Sequence, residues 1–192
     1  MNLVLVKCLI VESEELGLKD VELKLISELI KNSRRSDREL AKAVGVSQPT
    51  VTRTRGKLEK EGYIKEYTII PDFPKLGFQI LTLVFTKMKK EMSDDFVEEV
   101  RRGNRENEKK NPSPVLMVMS GLGCDSDRVL VLLSKDYSTY SKYIQMVREH
   151  PFVEIQEVRS FMIDLKHRSH FLPLTLSSLA DYLQKEIKDH NQ

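Results

Sequence analysis

The chain has 192 residues, 40% of them apolar and 31% charged, which is enough for two small domains. Its two cysteines, Cys8 and Cys124, are far apart, which excludes a disulfide framework and favours a reducing, cytoplasmic compartment. With 31 basic and 29 acidic residues the net charge is only +2, so any affinity for a polyanion must come from how the charges are distributed.

The first predicted element is a strand in an N-terminal extension, residues 1–17. Its sequence MNLVLVKCLIVE is apolar, but Lys7 interrupts it, it is shorter than a membrane span, and no small-residue cleavage site follows. Because no later segment approaches about 20 consecutive apolar residues, we expect no membrane-spanning helix and no membrane partner.

Two helices are predicted next. Apolar residues from Val21 to Ile30 recur close to every 3.6 positions, and Asp20 is placed to cap that helix. The second helix begins with the capping-box pair Ser36 and Glu39, and it ends at Gly45.

A third helix and a strand complete a domain that extends over residues 18–70. Ser47 caps the helix, Pro49 occupies its first turn and Gly62 stops it. The following YIKEYTII has the β-branched and aromatic content of a strand. Because the turn VGVS joins the second and third helices, this order of elements predicts a winged helix-turn-helix.

The third helix has one apolar and one polar face. At 100° per residue, Val51 and Leu58 point inward, while hydroxyl and basic side chains occupy the opposite side. No acidic residue lies between Ser47 and Lys57, as expected of a surface that approaches phosphates. Because Arg and Gln can read guanine and adenine in the major groove, we predict that this face binds double-stranded DNA. A solvated helix face in a protein-interaction domain is the alternative.

The charge distribution supports the DNA interpretation, because residues 18–67 contain twelve Lys or Arg against eight Asp or Glu. The three arginines near the start of the second helix would lie where that helix crosses the DNA backbone, although a role in solubility explains them equally well. The predicted DNA contacts are Arg34, Arg35, Arg38, Ser47, Gln48, Pro49, Thr50, Thr52, Arg53, Arg55 and Lys57.

Arg55 falls between the two faces of the third helix, at the edge of the predicted core. Its aliphatic stem can pack along that edge while the guanidinium reaches the rim, where phosphates would pass. We therefore predict that Arg55 clamps the DNA backbone and that Arg53 reads bases. On this interpretation, leucine at position 55 would keep the domain stable.

Residues 71–77, PDFPKLG, have the prolines and glycine of a hinge. Beyond them, residues 78–166 have the order βαββαβ. The segments are FQILTLVFTKMK, SDDFVEEVRR, PVLMVMS, RVLVLLS, YSTYSKYIQMVREH and FVEIQEVRSFMIDLK. This predicts an α+β, ferredoxin-like domain, in which two helices cover one face of an antiparallel sheet. Since the strands are apolar on both faces, we expect a homodimer or higher homo-oligomer through the other face.

Residues 167–192 form a C-terminal extension with one amphipathic helix. Its apolar stripe comprises Leu176, Leu179, Leu183 and Ile187. This stripe packs either on its own subunit or in an added dimer contact. His167 and His170 are joined by no cluster of further ligands, so we expect no metal, and no motif indicates another cofactor.

Residues 18–78, LKDVELKLISELIKNSRRSDRELAKAVGVSQPTVTRTRGKLEKEGYIKEYTIIPDFPKLGF, resemble the DNA-binding half of the Lrp/AsnC family of prokaryotic transcriptional regulators. LEKEGYI and the hinge carry part of this resemblance. The βαββαβ half is similar in element order to that family's effector-sensing and oligomerisation domain. The resemblance implies dimers, often assembled into rings, whose sheets pack face to face and which bind amino-acid effectors between subunits.

Two departures from that family concern the effector. Of the family's glycine and aspartate pattern, SGLGCDSD offers Gly121 and Asp125, and Val158 stands where a threonine is expected. These departures argue against an amino acid as the effector. The resemblance places a small-molecule site at the loop of Gly121, Gly123, Cys124 and Asp125, with a tight β-turn as the alternative.

The sequence therefore predicts a sequence-specific DNA-binding transcriptional regulator, acting as a dimer or higher oligomer, and not an enzyme. Two alternatives remain. One is a tetrapyrrole decarboxylase on an Lrp-like scaffold, for which basic and histidine side chains would have to converge on a large pocket. The other is an architectural DNA-binding protein without an effector.

Overall fold

The computed structural model describes residues 17–88, 111–149, 155–167 and 172–189, and the single positions Glu98 and Arg102, which are helical. The predicted N-terminal strand and the rest of the helix predicted at 93–102 lie outside these residues. In chain order, the elements are α1 (Asp20–Lys31), α2 (Asp37–Val44), α3 (Gln48–Lys60), β1 (Ile80–Met88), β2 (Val115–Gly123), β3 (Ser126–Ser134), α4 (Tyr137–Arg148), β4 (Ile155–Asp164) and α5 (Ser177–Asp189).

The chain divides into two compact units, with one boundary between Ile70 and Pro71. The helical unit contains α1, α2, α3 and α5, from both sides of the sheet in the sequence. The sheet unit contains the four strands and α4. The C-terminal helix therefore belongs to the same unit as the three N-terminal helices.

The core of the helical unit lies between α1, α2 and α3. Leu25, Leu40, Val51 and Leu58 are at most 1% exposed and belong to one apolar cluster. Each such side chain contributes roughly 1.5–3 kcal/mol by leaving water. The predicted helix-turn-helix is confirmed, with Val51 and Leu58 on the inner face of α3 as expected.

Side chains cap α2 and α3 as the sequence predicts. The Ser36 backbone N–H donates to Glu39 Oε2 at 2.8 Å, and the Glu39 N–H donates to Ser36 Oγ at 3.3 Å. Gly45 ends α2 with a φ of +81°, a left-handed conformation that favours glycine. Ser47 Oγ accepts from the Thr50 N–H at 3.3 Å and so caps α3.

The start of α1 differs from the prediction, because Asp20 is the first helical residue and not the N-cap. The carboxylate of Glu22 accepts a hydrogen bond from the Lys19 backbone N–H at 2.8 Å. Glu22, in the first turn, thus satisfies a backbone donor at the start of the helix, the role that was predicted for Asp20.

The strand predicted at 63–70 is not formed. Gly62, with φ of +78°, ends the turn after α3, and residues 64–70 follow without regular secondary structure. The Tyr67 hydroxyl donates to Glu59 Oε1 at 2.7 Å, and Ile69 is 73% exposed. A strand needs a neighbouring strand for its backbone groups, and residues 64–70 form no strand pairing with any described residue.

The C-terminal helix α5 packs on α1 of its own chain, as the first of the two alternatives predicted. The Ser27 hydroxyl is buried and donates to the Ala180 carbonyl at 2.9 Å. Ala180 and Ile187 are at most 4% exposed, whereas Leu176 and Leu179 are about half exposed, at 49% and 47%. Within one subunit, the C-terminal end of the predicted stripe is buried and its N-terminal end is not.

The sheet unit has the predicted ferredoxin-like topology. Its four strands lie in the order β2-β3-β1-β4, and each neighbouring pair is antiparallel. Strands β2 and β3 are longer than predicted, because only Cys124 and Asp125 form the turn between them. Both residues have positive φ, +51° and +53°, as a two-residue type I′ hairpin requires.

The two faces of the sheet differ in how they are covered. On one face Val84, Leu130 and Leu132 pack against Tyr140 and Ile144 of α4. The strand register places a second set of apolar side chains on the opposite face, here called the open face. The open face comprises Leu81, Leu83, Phe85, Met117, Met119, Val129, Val131, Phe161 and Ile163. Its members include Phe161 at 62% and Met119 at 57% exposed.

None of the helices in the described ranges is both long enough and apolar enough to cross a membrane.

Candidate nucleic-acid interface

The exposed side of α3 is the candidate interface. Because Val51 and Leu58 are buried, the opposite side of the helix faces outward. The predicted contacts on that side, Gln48, Pro49, Thr52, Arg53 and Lys57, are all exposed. No carboxylate belongs to α3 before Glu59, so the first three turns present only neutral and basic groups.

Three cations of α3 lie in three different environments. Arg53 is exposed and makes no ion pair with any residue that the structure describes. Lys57 Nζ is 2.7 Å from Glu22 Oε1 of α1, and its side chain is 44% exposed. Arg55 forms an ion pair with Asp37 of α2, and its side chain is 25% exposed. Arg53 is therefore placed to meet an external partner without first losing an internal one.

The Glu22–Lys57 pair links α1 to α3. Glu22 is only 5% exposed, which would be unfavourable for a lone carboxylate. The hydrogen bond from Lys57, and then that from the Lys19 backbone, holds the pKa of Glu22 below its usual range. The same hydrogen bond raises the pKa of Lys57. Lys57 thus fixes the position of α3 against α1, a role that the sequence pattern did not indicate.

Asp37 is the functional residue that sequence reasoning missed. It is the first residue of α2, and its carboxylate pairs with Arg55 and accepts a hydrogen bond from Thr52 Oγ1 at 2.5 Å. The Asp37 side chain is only 17% exposed. The guanidinium of Arg55 is therefore held by a residue of the helical unit. The prediction had placed it at the rim, free to meet phosphates.

The three predicted arginines around the start of α2 do not act alike. Arg35 forms an ion pair with Glu28 of α1. Arg34 and Arg38 are exposed, and neither has an ion pair among the described residues. Arg34 and Arg38 are therefore available to phosphates, whereas Arg35 joins two parts of the fold.

Ser47 and Thr50 form the start of α3. Their hydroxyl oxygens are 2.8 Å apart, in addition to the bond that caps the helix. Both hydroxyls are thus occupied by each other, and their first role is to set the direction in which α3 begins.

Gly56 lies on the exposed side of α3, at a position where the described structure does not require a glycine. A Cβ atom built on it would meet no atom within 4 Å, and its φ is not positive. Glycine in a helix interior costs about 1 kcal/mol relative to alanine. Neither packing nor backbone conformation within the described residues explains why this position is glycine.

The residues predicted to bind an effector lie at one end of the β2–β3 hairpin. Gly121 and Gly123 are in β2, and Cys124 and Asp125 form its exposed turn. Arg159 of β4 places Nη1 3.4 Å from both the Cys124 carbonyl and Asp125 Oδ2. The geometry is that of the tight turn given as the alternative, with a cation beside it.

Among the described residues, no group of three or more His, Cys, Asp or Glu side chains could hold a metal ion. His170, one of the two histidines considered, lies outside that part of the chain.

Comparison with known proteins agrees with this geometry. Residues 18–65 match the family described as winged helix-turn-helix DNA-binding. The chain is 30% identical over 150 residues to PH0061, an HTH-type transcriptional regulator of Pyrococcus horikoshii, which covers 74% of this chain and 95% of the relative. It is 40% identical over 72 residues to the HTH-type transcriptional regulator LrpC of Bacillus subtilis, covering 38% of this chain and 50% of LrpC.

Solved structures extend the match to both units. The crystal structure of PH0061 has a TM-score of 0.62 at 26% identity and covers 82% of this chain and 97% of that one. A transcriptional regulator of Neisseria meningitidis, NMB0573, solved as a complex with L-Met, has a TM-score of 0.63 at 20% identity, covering 84% and 99%. At that identity the second likeness shows the fold alone. The chain belongs to the Lrp/AsnC family and is a DNA-binding transcriptional regulator of the HTH type.

Proposed function

We propose that this regulator reads the major groove of its operator with the N-terminal half of α3. Gln48 and Arg53 supply the base contacts, because each can form two hydrogen bonds with one base. Arg34 and Arg38 supply phosphate contacts. The observation that carries this proposal is the exposed side of α3, which is basic, contains no carboxylate of α3 before Glu59 and is centred on the unpaired Arg53.

Arg55 and Lys57 have a different role in this proposal. Their ion pairs with Asp37 and Glu22 hold α3 against α2 and α1. Each acidic partner belongs to a neighbouring helix, α2 or α1, and reduces the charge of the cation with which it pairs. The two residues therefore orient the recognition helix and contribute less than Arg53 to sequence reading.

We further propose that the regulator is a homodimer joined through the open face of the sheet unit. An exposed apolar surface built from all four strands favours association with a matching surface. A twofold dimer presents two recognition helices, so the operator should be a rough palindrome with half-sites about 34 Å, or a multiple of this, apart. Selection of bound fragments from random duplex DNA tests this, and enrichment of one asymmetric half-site alone would contradict it.

We expect Arg53→Ala to weaken discrimination at one base position by about 1–3 kcal/mol. The reason is the loss of two hydrogen bonds to one base edge, while the fold is unaffected because Arg53 is exposed. Binding of the selected operator and of all its single-base variants measures the effect. Lys185→Ala, which removes the same charge from the exposed side of α5, is the control and should leave the base preferences unchanged. Equal weakening at every position would instead make Arg53 a phosphate contact.

A small-molecule effector at the β2–β3 hairpin stays a prediction. L-methionine, the compound in the Neisseria complex, is the first one to test. We expect a ligand that binds at Asp125 to raise the melting temperature of the wild type but not of Asp125→Asn, because asparagine keeps the left-handed turn while losing the charge. An equal shift in both proteins would place the ligand elsewhere.

The named relatives are transcriptional regulators, and we propose no enzymatic activity. The tetrapyrrole decarboxylase alternative requires basic and histidine side chains around a large pocket, and no observation favours it.

A further inference from the structure

We infer that Gly56 is a point of close approach for one sugar–phosphate strand of the DNA duplex. The inference rests on the proposed DNA-binding role of α3 and adds a contact made by the helix backbone. It starts from a residue that lowers helix stability yet has no partner in the described structure that requires it.

The surroundings of Gly56 form a shallow depression on the helix. Arg53 and Lys60, three positions before and four after it, are exposed neighbours on the same side. Thr52, four positions before it, turns its hydroxyl to Asp37 and to the Gln48 carbonyl. The helix backbone between the two cations is therefore left uncovered.

Removing one side chain changes how near a partner can come. Helix Cα atoms lie about 2.3 Å from the axis, whereas side chains extend a helix to a radius of about 5–6 Å. A side chain also covers the turn that precedes its own Cα. At Gly56 a DNA strand can therefore come roughly 2–3 Å closer to the backbone of α3 than at its neighbours.

The charges beside this depression favour phosphate over a base edge. Arg53 and Lys60 border it without an ion pair among the described residues. The two nearby carboxylates are already engaged, because Glu59 accepts from the Tyr67 hydroxyl and Asp37 accepts from Thr52 and pairs with Arg55. Gly56 also lies past the first two turns of α3, and base contacts in helix-turn-helix proteins come mainly from the first residues of the recognition helix.

Gly56→Ala is expected to change the melting temperature and the DNA affinity in opposite directions. We expect the melting temperature to rise by a few degrees, because alanine favours the helix. We expect DNA affinity to fall roughly tenfold on every duplex, because a methyl group overfills a close contact. Affinity is measured on the operator selected by the wild type, on its single-base variants and on an unrelated duplex of equal length.

Two further variants strengthen this test. Gly56→Lys adds a cation, which tightens DNA binding if the surface is open and weakens it if a strand comes close. Ala43→Gly, on the exposed side of α2, is the control for helix propensity and should lower the melting temperature while leaving affinity unchanged.

The outcomes are distinguishable. Uniform weakening by both Gly56→Ala and Gly56→Lys supports the inference. Unchanged or tighter binding by Gly56→Ala overturns it, and weakening at a single base pair overturns it in favour of a base contact. If the wild type selects no duplex at all, the proposed function of α3 fails before any variant is compared.

Discussion

Arg55→Leu is expected to lower the free energy of unfolding of the helical unit by about 1–3 kcal/mol. The reason is Asp37, whose mostly buried carboxylate would lose its cationic partner and keep only the hydrogen bond from Thr52. Urea unfolding of the full chain, followed by circular dichroism, measures the change. The sequence alone had predicted that leucine at position 55 would keep the domain stable, because it did not reveal the ion pair with Asp37.

A double-mutant cycle with Asp37→Asn tests the cause. Asparagine keeps the acceptor for Thr52 but removes the charge, so Arg55→Leu should cost much less in that background. Asp37→Asn alone also frees Arg55, and we expect it to tighten binding to all duplexes and to steepen the salt dependence. Equal stability of Arg55→Leu and the wild type would show that the ion pair does not stabilise the helical unit.

Leu83→Glu is expected to convert the proposed dimer into a monomer and to weaken operator binding by at least about 100-fold. Leu83 lies on the central strand β1, between Val131 and Phe161 on the open face. A carboxylate there would be buried without a partner in the dimer but exposed to water in the monomer. The two half-sites would then be bound by separate molecules instead of one.

Sedimentation at micromolar concentration measures the state of association, and circular dichroism confirms that the variant is folded. Ser141→Glu, which adds the same charge to the exposed side of α4, is the control and should remain dimeric. A dimeric Leu83→Glu, or a monomeric wild type, would contradict assembly through the open face.

Local signals in the sequence were sufficient for the helix-turn-helix. The capping box of Ser36 and Glu39, the left-handed Gly45 and the cap at Ser47 are each formed by residues within four positions of one another. Interactions this short in sequence do not depend on the rest of the fold. The inner face of α3 followed from periodicity for the same reason, since burial of Val51 and Leu58 needs only a neighbouring helix.

Interactions across the fold could not be predicted in this way. Glu22 and Ser27 are polar residues that are buried on α1, because α3 supplies a cation to one and α5 a carbonyl to the other. An interpretation of α1 as a helix with one apolar stripe places both in solvent. Asp37 was missed for a similar reason, since its partners Arg55 and Thr52 are at least 15 residues away.

Two predictions about strands were wrong in opposite directions for the same reason. Residues 64–70 have the composition of a strand but no neighbouring strand among the described residues, so they do not form one. Gly121 and Gly123 have the composition of a turn, yet both lie within β2, which pairs with β3. Whether a segment forms a strand depends on what lies beside it. Composition alone reports only how well the segment would fit if a neighbour were present.

The packing of α5 on α1 has a consequence for biosynthesis. The helix that covers Ser27 leaves the ribosome only after the whole sheet unit has been made, so the DNA-binding half of the molecule is complete last although its first helix emerges early. Until then the Ser27 hydroxyl of α1 lacks its acceptor on α5. The apolar cluster of α1, α2 and α3 contains no residue of α5, so these three helices can pack together before α5 has been made.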